Sequence, residues 1–199
     1  DDALSSLSGN TVFSTLDAMS GFWNIPMNKE DQHKTAFACH SGAYEFTRMP
    51  FGLANASAIF QRHMDSALRG LNFKVALIFL DDVLVFSKDI ETHIHDLAAV
   101  LSCLRAAGLH LKASKCTIGT DRVAYLGHVV SADGVHSDPV KVLAISTFLP
   151  KSRAEIRSFV GLASYYRRYV KNFAKLVRPL SDFITSRNPF NGLTPPMSE

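Results

Sequence analysis

The chain has 199 residues and a formal net charge of +3, and 47% of its residues are hydrophobic, 10% aromatic and 20% charged. This composition can bury a core and excludes an intrinsically disordered chain, and neither a long uncharged apolar run nor a signal-peptide pattern is present. Three cysteines without CxxC spacing argue against a disulfide framework or a zinc site, so we expect an intracellular, cytoplasmic or nuclear protein that is not bound to a membrane.

The amino-terminal residues predict a short helix and a strand. Leu4 and Leu7 before Gly9 are typical of the last turn of a helix. The β-branched and aromatic residues of 11–16 predict a strand that ends at Asp17.

A loop and a helix are predicted next. An apolar stretch with an aromatic pair at residues 44–46 leads to a Pro-x-Gly loop at residues 50–52. From about Ser57 to Leu71 the apolar residues recur at spacings of three and four and stop at Gly70, which predicts an amphipathic helix.

Two adjacent carboxylates, Asp81 and Asp82, separate apolar runs at residues 75–80 and 83–86. These runs suit short strands, so we predict a β-hairpin with both carboxylates at its turn. Paired anions beside apolar surface are costly unless they are compensated, and a hard divalent cation would compensate them. Asp is also a common turn residue, so an ordinary solvated turn is the competing interpretation.

The residues after this hairpin complete a mixed domain. A helical stripe runs from Ile94 to Leu104, and Gly108 occupies the position of a C-cap glycine. Strands are predicted at residues 109–111 and 123–130, with a turn at residues 133–134. The order of strands and helices predicts an α+β fold.

The sequence becomes helical and basic after residue 137. Asp138-Pro139 predicts one helix start, and the capping box from Ser152 to Glu155 predicts another. Residues 1–150 hold 12 basic and 15 acidic residues, whereas residues 151–178 hold 8 basic residues and one acidic residue. A basic block beside an acidic body indicates a polyanionic partner.

The acids are better candidate metal ligands than the histidines. His93 and His95 are two residues apart in a helical pattern, so we expect them to be solvated or to cap rather than to share a metal. Asp17 ends one predicted strand while Asp81 and Asp82 lie between two others, so neighbouring strands would bring all three acids to one site. Such converging acids suit two Mg²⁺ ions, for which Mn²⁺ can substitute.

Six segments occur in the order of a known series of motifs. They are residues 15–22, 49–56, 79–82, 111–116, 125–128 and 159–168. Together they resemble the reverse transcriptases of gypsy-type (Metaviridae) LTR retrotransposons, and the resemblance covers roughly residues 1–190.

The resemblance implies a polymerase palm, an antiparallel sheet flanked by helices, over residues 1–137. It implies a helical thumb over residues 138–185 and a tail over residues 186–199 toward a connection and an RNase H region. A fingers segment is expected before residue 1.

The resemblance also implies site residues. Asp17, Asp81 and Asp82 would be catalytic and, with the backbone carbonyl of Ala18, would hold the metals. Nucleotide binding would involve a sugar gate at Phe22 and contacts from Phe51 and Gly52. The implied primer and template contacts are Leu126, Gly127, Arg157, Gly161, Tyr165 and Arg168.

The function implied is RNA- or DNA-directed DNA synthesis, with transfer from a dNTP to a primer 3′-hydroxyl on an RNA template and DNA primer duplex. The chain would act as a homodimer or with the remainder of a Pol polyprotein. Two alternatives stay open: a catalytically inactive nucleic-acid-binding or structural subunit derived from such an enzyme, and an RNA-dependent RNA polymerase palm, which the aromatic ring at Phe22 disfavours.

Overall fold

The computed structural model describes residues 6–185. The chain divides into two compact units between Val135 and His136. Residues 6–9 form a turn rather than the predicted helix end, while residues 1–5 and the predicted tail at 186–199 lie outside the described residues.

The first unit is built on a four-stranded antiparallel sheet. Its strands are β1 (Val12–Asp17), β4 (Ala76–Phe79), β5 (Asp82–Ser87) and β6 (Thr117–Thr120), in the order β4-β5-β1-β6. The predicted strand before Asp17 and the predicted hairpin of apolar runs are therefore confirmed as three neighbouring strands, with β1 and β5 at the centre of the sheet and β4 at its edge.

Both faces of β5 are covered, which explains its unbroken apolar sequence. Helices α1 (Ala56–Ala67) and α2 (Ile90–Ala106) flank the sheet, and Val83 and Val85 lie in a core cluster with residues of both helices. Leu84 belongs to a second cluster with residues of other strands. The helix predicted after the hairpin is confirmed, and Gly108 follows its end with a positive φ of 72°.

A second sheet corrects the prediction of one strand at residues 123–130. It consists of β7 (Arg122–Tyr125), β8 (His128–Ser131) and β9 (Gly134–Ser137), and β9 crosses the boundary between the units. Leu126 and Gly127, with φ values of 47° and 72°, form the two-residue turn between β7 and β8. Two successive positive φ values suit such a hairpin turn, which an apolar run conceals at the sequence level.

Three short elements also differ from the prediction. The hairpin of β2 (Phe37–Cys39) and β3 (Gly42–Tyr44), and strand β6, were not predicted, because three- or four-residue strands carry little periodicity. Residues 109–111 form no strand; Leu111 makes only an isolated bridge to Ala18.

His93 is buried, contrary to the expectation of a solvated or capping side chain. Its Nε2 lies 2.7 Å from Ser14 Oγ, and its Nδ1 lies 3.1 Å from Ser87 Oγ. The Ser87 hydroxyl donates to Asp96 Oδ2 at 2.7 Å, so Ser87 Oγ is available to accept the Nδ1 proton of a neutral ring. This network joins α2 to strands β1 and β5.

The second unit is helical. It contains α3 (Pro139–Ser146), α4 (Arg153–Tyr165) and α5 (Phe173–Thr185), with a 3₁₀ turn at Arg167–Tyr169. Both predicted starts are confirmed, since Asp138 Oδ1 accepts the Val140 amide at 2.9 Å and Ser152 Oγ accepts the Glu155 amide at 3.2 Å. Among residues 6–185 no helix has the length and apolarity to span a membrane.

Candidate active site

The turn between β4 and β5 consists of Leu80 and Asp81, one residue earlier than predicted. Asp82 is the first residue of β5 and pairs with Phe79. Leu80 has a φ of 53°, in the left-handed region that non-glycine residues rarely adopt. Its amide donates to the Gln61 side-chain oxygen at 2.7 Å, so α1 supports the turn that carries Asp81.

Three acids meet at the end of the central strands. Asp17 and Asp82 are direct cross-strand partners in the antiparallel pairing of β1 with β5. The Ala18 amide donates to the Asp81 carbonyl oxygen at 2.9 Å, which ties the end of β1 to the turn. Sheet pairing therefore brings together acids that are more than sixty residues apart in the sequence.

The surroundings of Asp82 favour its neutral form. Burial raises the pKa of its carboxyl, the charges of Asp81 and Asp17 raise the pKa further, and only the Lys115 ammonium opposes them. A cation that bound these acids would lower the pKa again, because it favours the ionised carboxylate.

Lys115 supplies the positive charge of the site. Its Nζ donates to Asp17 Oδ2 at 3.0 Å. The pKa of Lys115 is raised, chiefly by this hydrogen bond and then by the charges of Asp17, Asp81 and Asp82. The Lys112 amide donates to the Asp17 carbonyl oxygen at 2.9 Å, so the segment that carries Lys115 is held at the same edge of the sheet as Asp17.

Two clefts open beside these acids. A cleft of about 510 Å³ contains Asp17, Asp81, Ala18, Phe22 and Phe51, whereas Gly52 is not among its lining residues. This volume suits a small organic ligand. A smaller cleft of about 160 Å³ contains Asp17 and Asp82 together with Tyr125 and Leu126. Asp17 lines both clefts, whereas Asp81 lines the larger one and Asp82 the smaller one. The adjacent acids Asp81 and Asp82 therefore face different spaces.

The chemistry of the donors fits a hard divalent cation. Carboxylates and a backbone carbonyl are the oxygen ligands that Mg²⁺ prefers. Within residues 6–185, however, no group of three or more His, Cys, Asp or Glu side chains is placed to hold a metal ion. The Asp17 oxygen nearest Lys115 is already engaged in an ion pair.

Aromatic rings form one wall of the larger cleft. Phe22 lies 5.3 Å from Phe51 and 5.7 Å from Phe60 between ring centroids. Gly21 is required here, because a Cβ at this position would lie 2.7 Å from the buried Phe60 ring. Gly21 therefore lets the chain beside Phe22 approach Phe60, which lines the same cleft.

The family model described as reverse transcriptase (RNA-dependent DNA polymerase) matches residues 1–130. The chain belongs to the reverse transcriptase family.

The relatives confirm the gypsy-type resemblance. The chain is 42% identical over 186 residues to the retrovirus-related Pol polyprotein from transposon gypsy of Drosophila melanogaster, covering 93% of this chain and 18% of that protein. It is 44% identical over 180 residues to the corresponding polyprotein from transposon opus of the same organism, covering 90% of this chain and 18% of that protein. This reverse transcriptase chain thus spans about a fifth of the length of these relatives.

Solved structures confirm the α+β polymerase fold. A foamy viral protease-reverse transcriptase in complex with double-stranded DNA matches with a TM-score of 0.84 and 25% identity, covering 94% of this chain and 33% of that chain. The foamy viral enzyme in complex with an RNA/DNA hybrid matches with a TM-score of 0.82 and 25% identity, covering 94% of this chain and 26% of that chain.

The remaining candidate residues of this reverse transcriptase lie in the second unit. Arg157, Gly161 and Tyr165 are four residues apart on α4 and exposed, so they form one stripe. Within the part of the chain that the structure describes, a Cβ at Gly161 would lie within 4 Å of no atom beyond its chain neighbours and its own helix backbone. Arg168 follows in the 3₁₀ turn, with its guanidinium 5.5 Å from the Tyr169 ring centroid.

Two residues near the acids were missed as functional candidates in this reverse transcriptase. Gln61 supports the Leu80 turn and Lys115 pairs with Asp17. The paired lysines of the fourth motif were a signal for Lys115, but nothing in the local sequence of α1 distinguishes Gln61 from a solvated polar residue. Both assignments depend on contacts between distant parts of the chain.

Proposed function

We propose that the chain is the core of an RNA-directed DNA polymerase that extends a DNA primer on an RNA template. The single observation that carries this proposal is the meeting of Asp17, Asp81 and Asp82, of which Asp17 and Asp81 line a cleft of about 510 Å³. Family membership supports the reaction class, and we assign two Mg²⁺ ions to the three acids and the Ala18 carbonyl because oxygen donors of this type suit that ion. When bound, the ions would favour the ionised 3′-hydroxyl and compensate the charge of the leaving group.

The reaction exchanges one phosphorus–oxygen bond for another. The primer 3′-oxygen, as its proton is lost, attacks the α-phosphorus of a deoxynucleoside triphosphate, and the bond from that phosphorus to pyrophosphate breaks. Asp17 and Asp81 orient the reacting groups from the larger cleft. Asp82, in the smaller cleft with Leu126, lies on the side that we assign to the primer end.

We assign sugar selection to the aromatic wall. Phe22 packs between Phe51 and Phe60, which limits how far its ring can move. A ring held at the position of the incoming sugar would clash with a 2′-hydroxyl and accept a deoxyribose. Gly52, with a φ of 92°, lets the loop after Phe51 turn beside the nucleotide.

The second unit is assigned to the duplex. Exposed Arg157 and Arg168 suit phosphate contacts, which give affinity without reading sequence. No atom of residues 6–185 outside its chain neighbours and its own helix backbone lies within 4 Å of a Cβ at Gly161, so packing among the described residues does not account for this glycine. We assign it to close approach of a nucleic-acid groove. Arg153 donates to the Ile184 carbonyl oxygen at 3.3 Å, and its guanidinium lies 4.8 Å from the Phe183 ring centroid.

Because the relatives are Pol polyproteins, we propose that this chain acts within such a polyprotein, and the test uses the polyprotein's reverse transcriptase region. Asp81→Asn retains size but removes one charge, so primer extension on an RNA template should be lost while binding of an RNA/DNA duplex stays near the parental value. Duplex affinity should fall as salt rises, because phosphate contacts release counterions. Extension by Asp81→Asn at the parental rate would contradict the proposed function.

A further inference from the structure

Both backbone hydrogen bonds and an ion pair connect the Lys115 segment to the acidic site. The Lys115 amide donates to the Lys112 carbonyl oxygen at 2.8 Å, and the Lys112 amide donates to the Asp17 carbonyl oxygen at 2.9 Å. The turn that presents the lysine is therefore hydrogen-bonded to the main chain of the acid that the lysine contacts. These bonds hold the main chain that carries Lys115 beside Asp17.

The two members of the pair differ in exposure. The Lys115 side chain is 56% exposed, whereas the Asp17 side chain is 19% exposed. The acid is held in place by the strand, but the lysine is a long flexible side chain that can leave for solvent at little cost. The pair can therefore open without rearrangement of the sheet.

Asp17 lies among other negative charges. It is the cross-strand partner of Asp82, and the amide of the next residue, Ala18, donates to the Asp81 carbonyl oxygen at 2.9 Å. Carboxylates held this close repel one another unless a cation lies beside them. Lys115 is the side chain that forms an ion pair with this cluster among residues 6–185.

We infer that Lys115 is a resident counter-ion of the acid cluster, which neutralises Asp17 in the metal-free protein and competes with divalent cations for Asp17 Oδ2. The inference rests on the proposed function, in which Asp17 is a metal ligand. A cation that binds Oδ2 displaces the ammonium, so the cluster binds metal more weakly than its acids alone would. Lys115 thus sets the metal concentration at which the site fills.

The test is a titration of the full 199-residue chain with Mn²⁺ at low ionic strength, with free Mn²⁺ followed by electron paramagnetic resonance. Lys115→Met should bind Mn²⁺ about three- to tenfold more tightly, as expected for loss of a partly exposed charge near the ion. Lys115→Arg, which keeps the cation, should remain near the parental affinity. The difference should shrink as salt is added.

Lys112→Met is the matched control. Lys112 lines the same cleft but makes no ion pair within 4 Å in the described part of the chain. Its loss should therefore tighten Mn²⁺ binding less than the loss of Lys115. Equal tightening by the two variants, or parental or weaker binding by Lys115→Met, would overturn the inference.

Asp17→Asn separates this inference from the proposed function. If Mn²⁺ binding does not depend on Asp17, the metal site of the proposed function is wrong. If binding depends on Asp17 but does not respond to Lys115→Met, only the counter-ion role fails. Thermal unfolding gives a second measurement: the rise in Tm on adding Mn²⁺ should be larger for Lys115→Met than for the parent, and an equal or smaller rise would count against the inference.

Discussion

The side-chain oxygen of Gln61 accepts the backbone amide of Leu80 at 2.7 Å. This hydrogen bond joins a residue of helix α1 to a turn residue with a φ of 53°, immediately before Asp81. An otherwise unfavourable backbone conformation is thereby supported by a side chain from a separate element. The position of a candidate catalytic acid depends on a residue with no catalytic chemistry of its own.

Replacement of Gln61 by Met should destabilise this turn. Met has a similar length but cannot accept the Leu80 amide, so the free energy of unfolding should fall by about 1 kcal/mol, and Mn²⁺ should bind more weakly because Asp81 is less well placed. Urea denaturation and Mn²⁺ titration measure the two effects. Asp65→Asn is the control, since Asp65 accepts from the other end of the Gln61 amide at 3.0 Å. Equal effects of the two variants on Mn²⁺ affinity would contradict the positioning role.

Phe22→Ala should relax sugar selection. Removal of the ring opens the wall beside Phe51 and Phe60 while leaving the three acids in place. Within the polyprotein's reverse transcriptase region, extension with deoxynucleotides should persist at a reduced rate, and ribonucleotides should become substrates. Primer extension with each nucleotide type, compared as kcat/KM, measures the change. Unchanged selectivity would show that another group excludes the ribose.

Two substitutions of Gly161 test stability and duplex binding separately. Since a Cβ here meets no atom of another described element within 4 Å, Gly161→Ala should raise the free energy of unfolding by roughly 0.5–1 kcal/mol, the usual helix advantage of Ala over Gly. Gly161→Phe should also fold but should bind duplex more weakly, because its ring occupies the space that we assign to a nucleic-acid groove. Denaturation and duplex titration give the two results. Parental affinity in Gly161→Phe would exclude that groove contact.

The buried His93 should make stability dependent on pH. Burial lowers the pKa of His93 below its ordinary value of 6.5, although the Asp96 charge partly opposes this shift. As pH falls through 6.5, the unfolded chain therefore binds a proton that the folded chain does not, so the free energy of unfolding decreases until the lower, folded-state pKa is passed. The slope for this one group can reach about 1.4 kcal/mol per pH unit.

His93→Gln should remove this contribution to the slope, and His95→Gln, at an exposed position on the same helix, is the matched control. Urea denaturation at several values between pH 5 and pH 8 provides the comparison. Protonation would place a second N–H against Ser14 Oγ, which already accepts the Gly119 amide at 2.9 Å. Identical slopes for the parent and His93→Gln would show that this ring does not control acid stability.

Much of the local structure could be predicted from sequence because its causes are local. The caps at Asp138 and Ser152 depend on side chains two or three residues from the amides they accept. The helix from Ile90 to Ala106 follows from its apolar spacing, and Asp17, Asp81 and Asp82 could be selected as candidates from their places at the ends of apolar runs. The periodicity of apolar residues and the hydrogen-bonding capacity of capping side chains depend only on residues that are neighbours in the sequence.

Tertiary structure decided which of those residues share an environment. Leu80 rather than Asp82 entered the turn because cross-strand pairing places Asp82 opposite Phe79 and Asp17. Lys115 reached an acid 98 positions earlier in the chain, and His93 was buried against Ser14, 79 positions away. These contacts depend on strand order and on how helices cover the sheet. The charge of a residue is a property of its type, but its neighbours, and hence its pKa and its role, are set by pairing between distant segments.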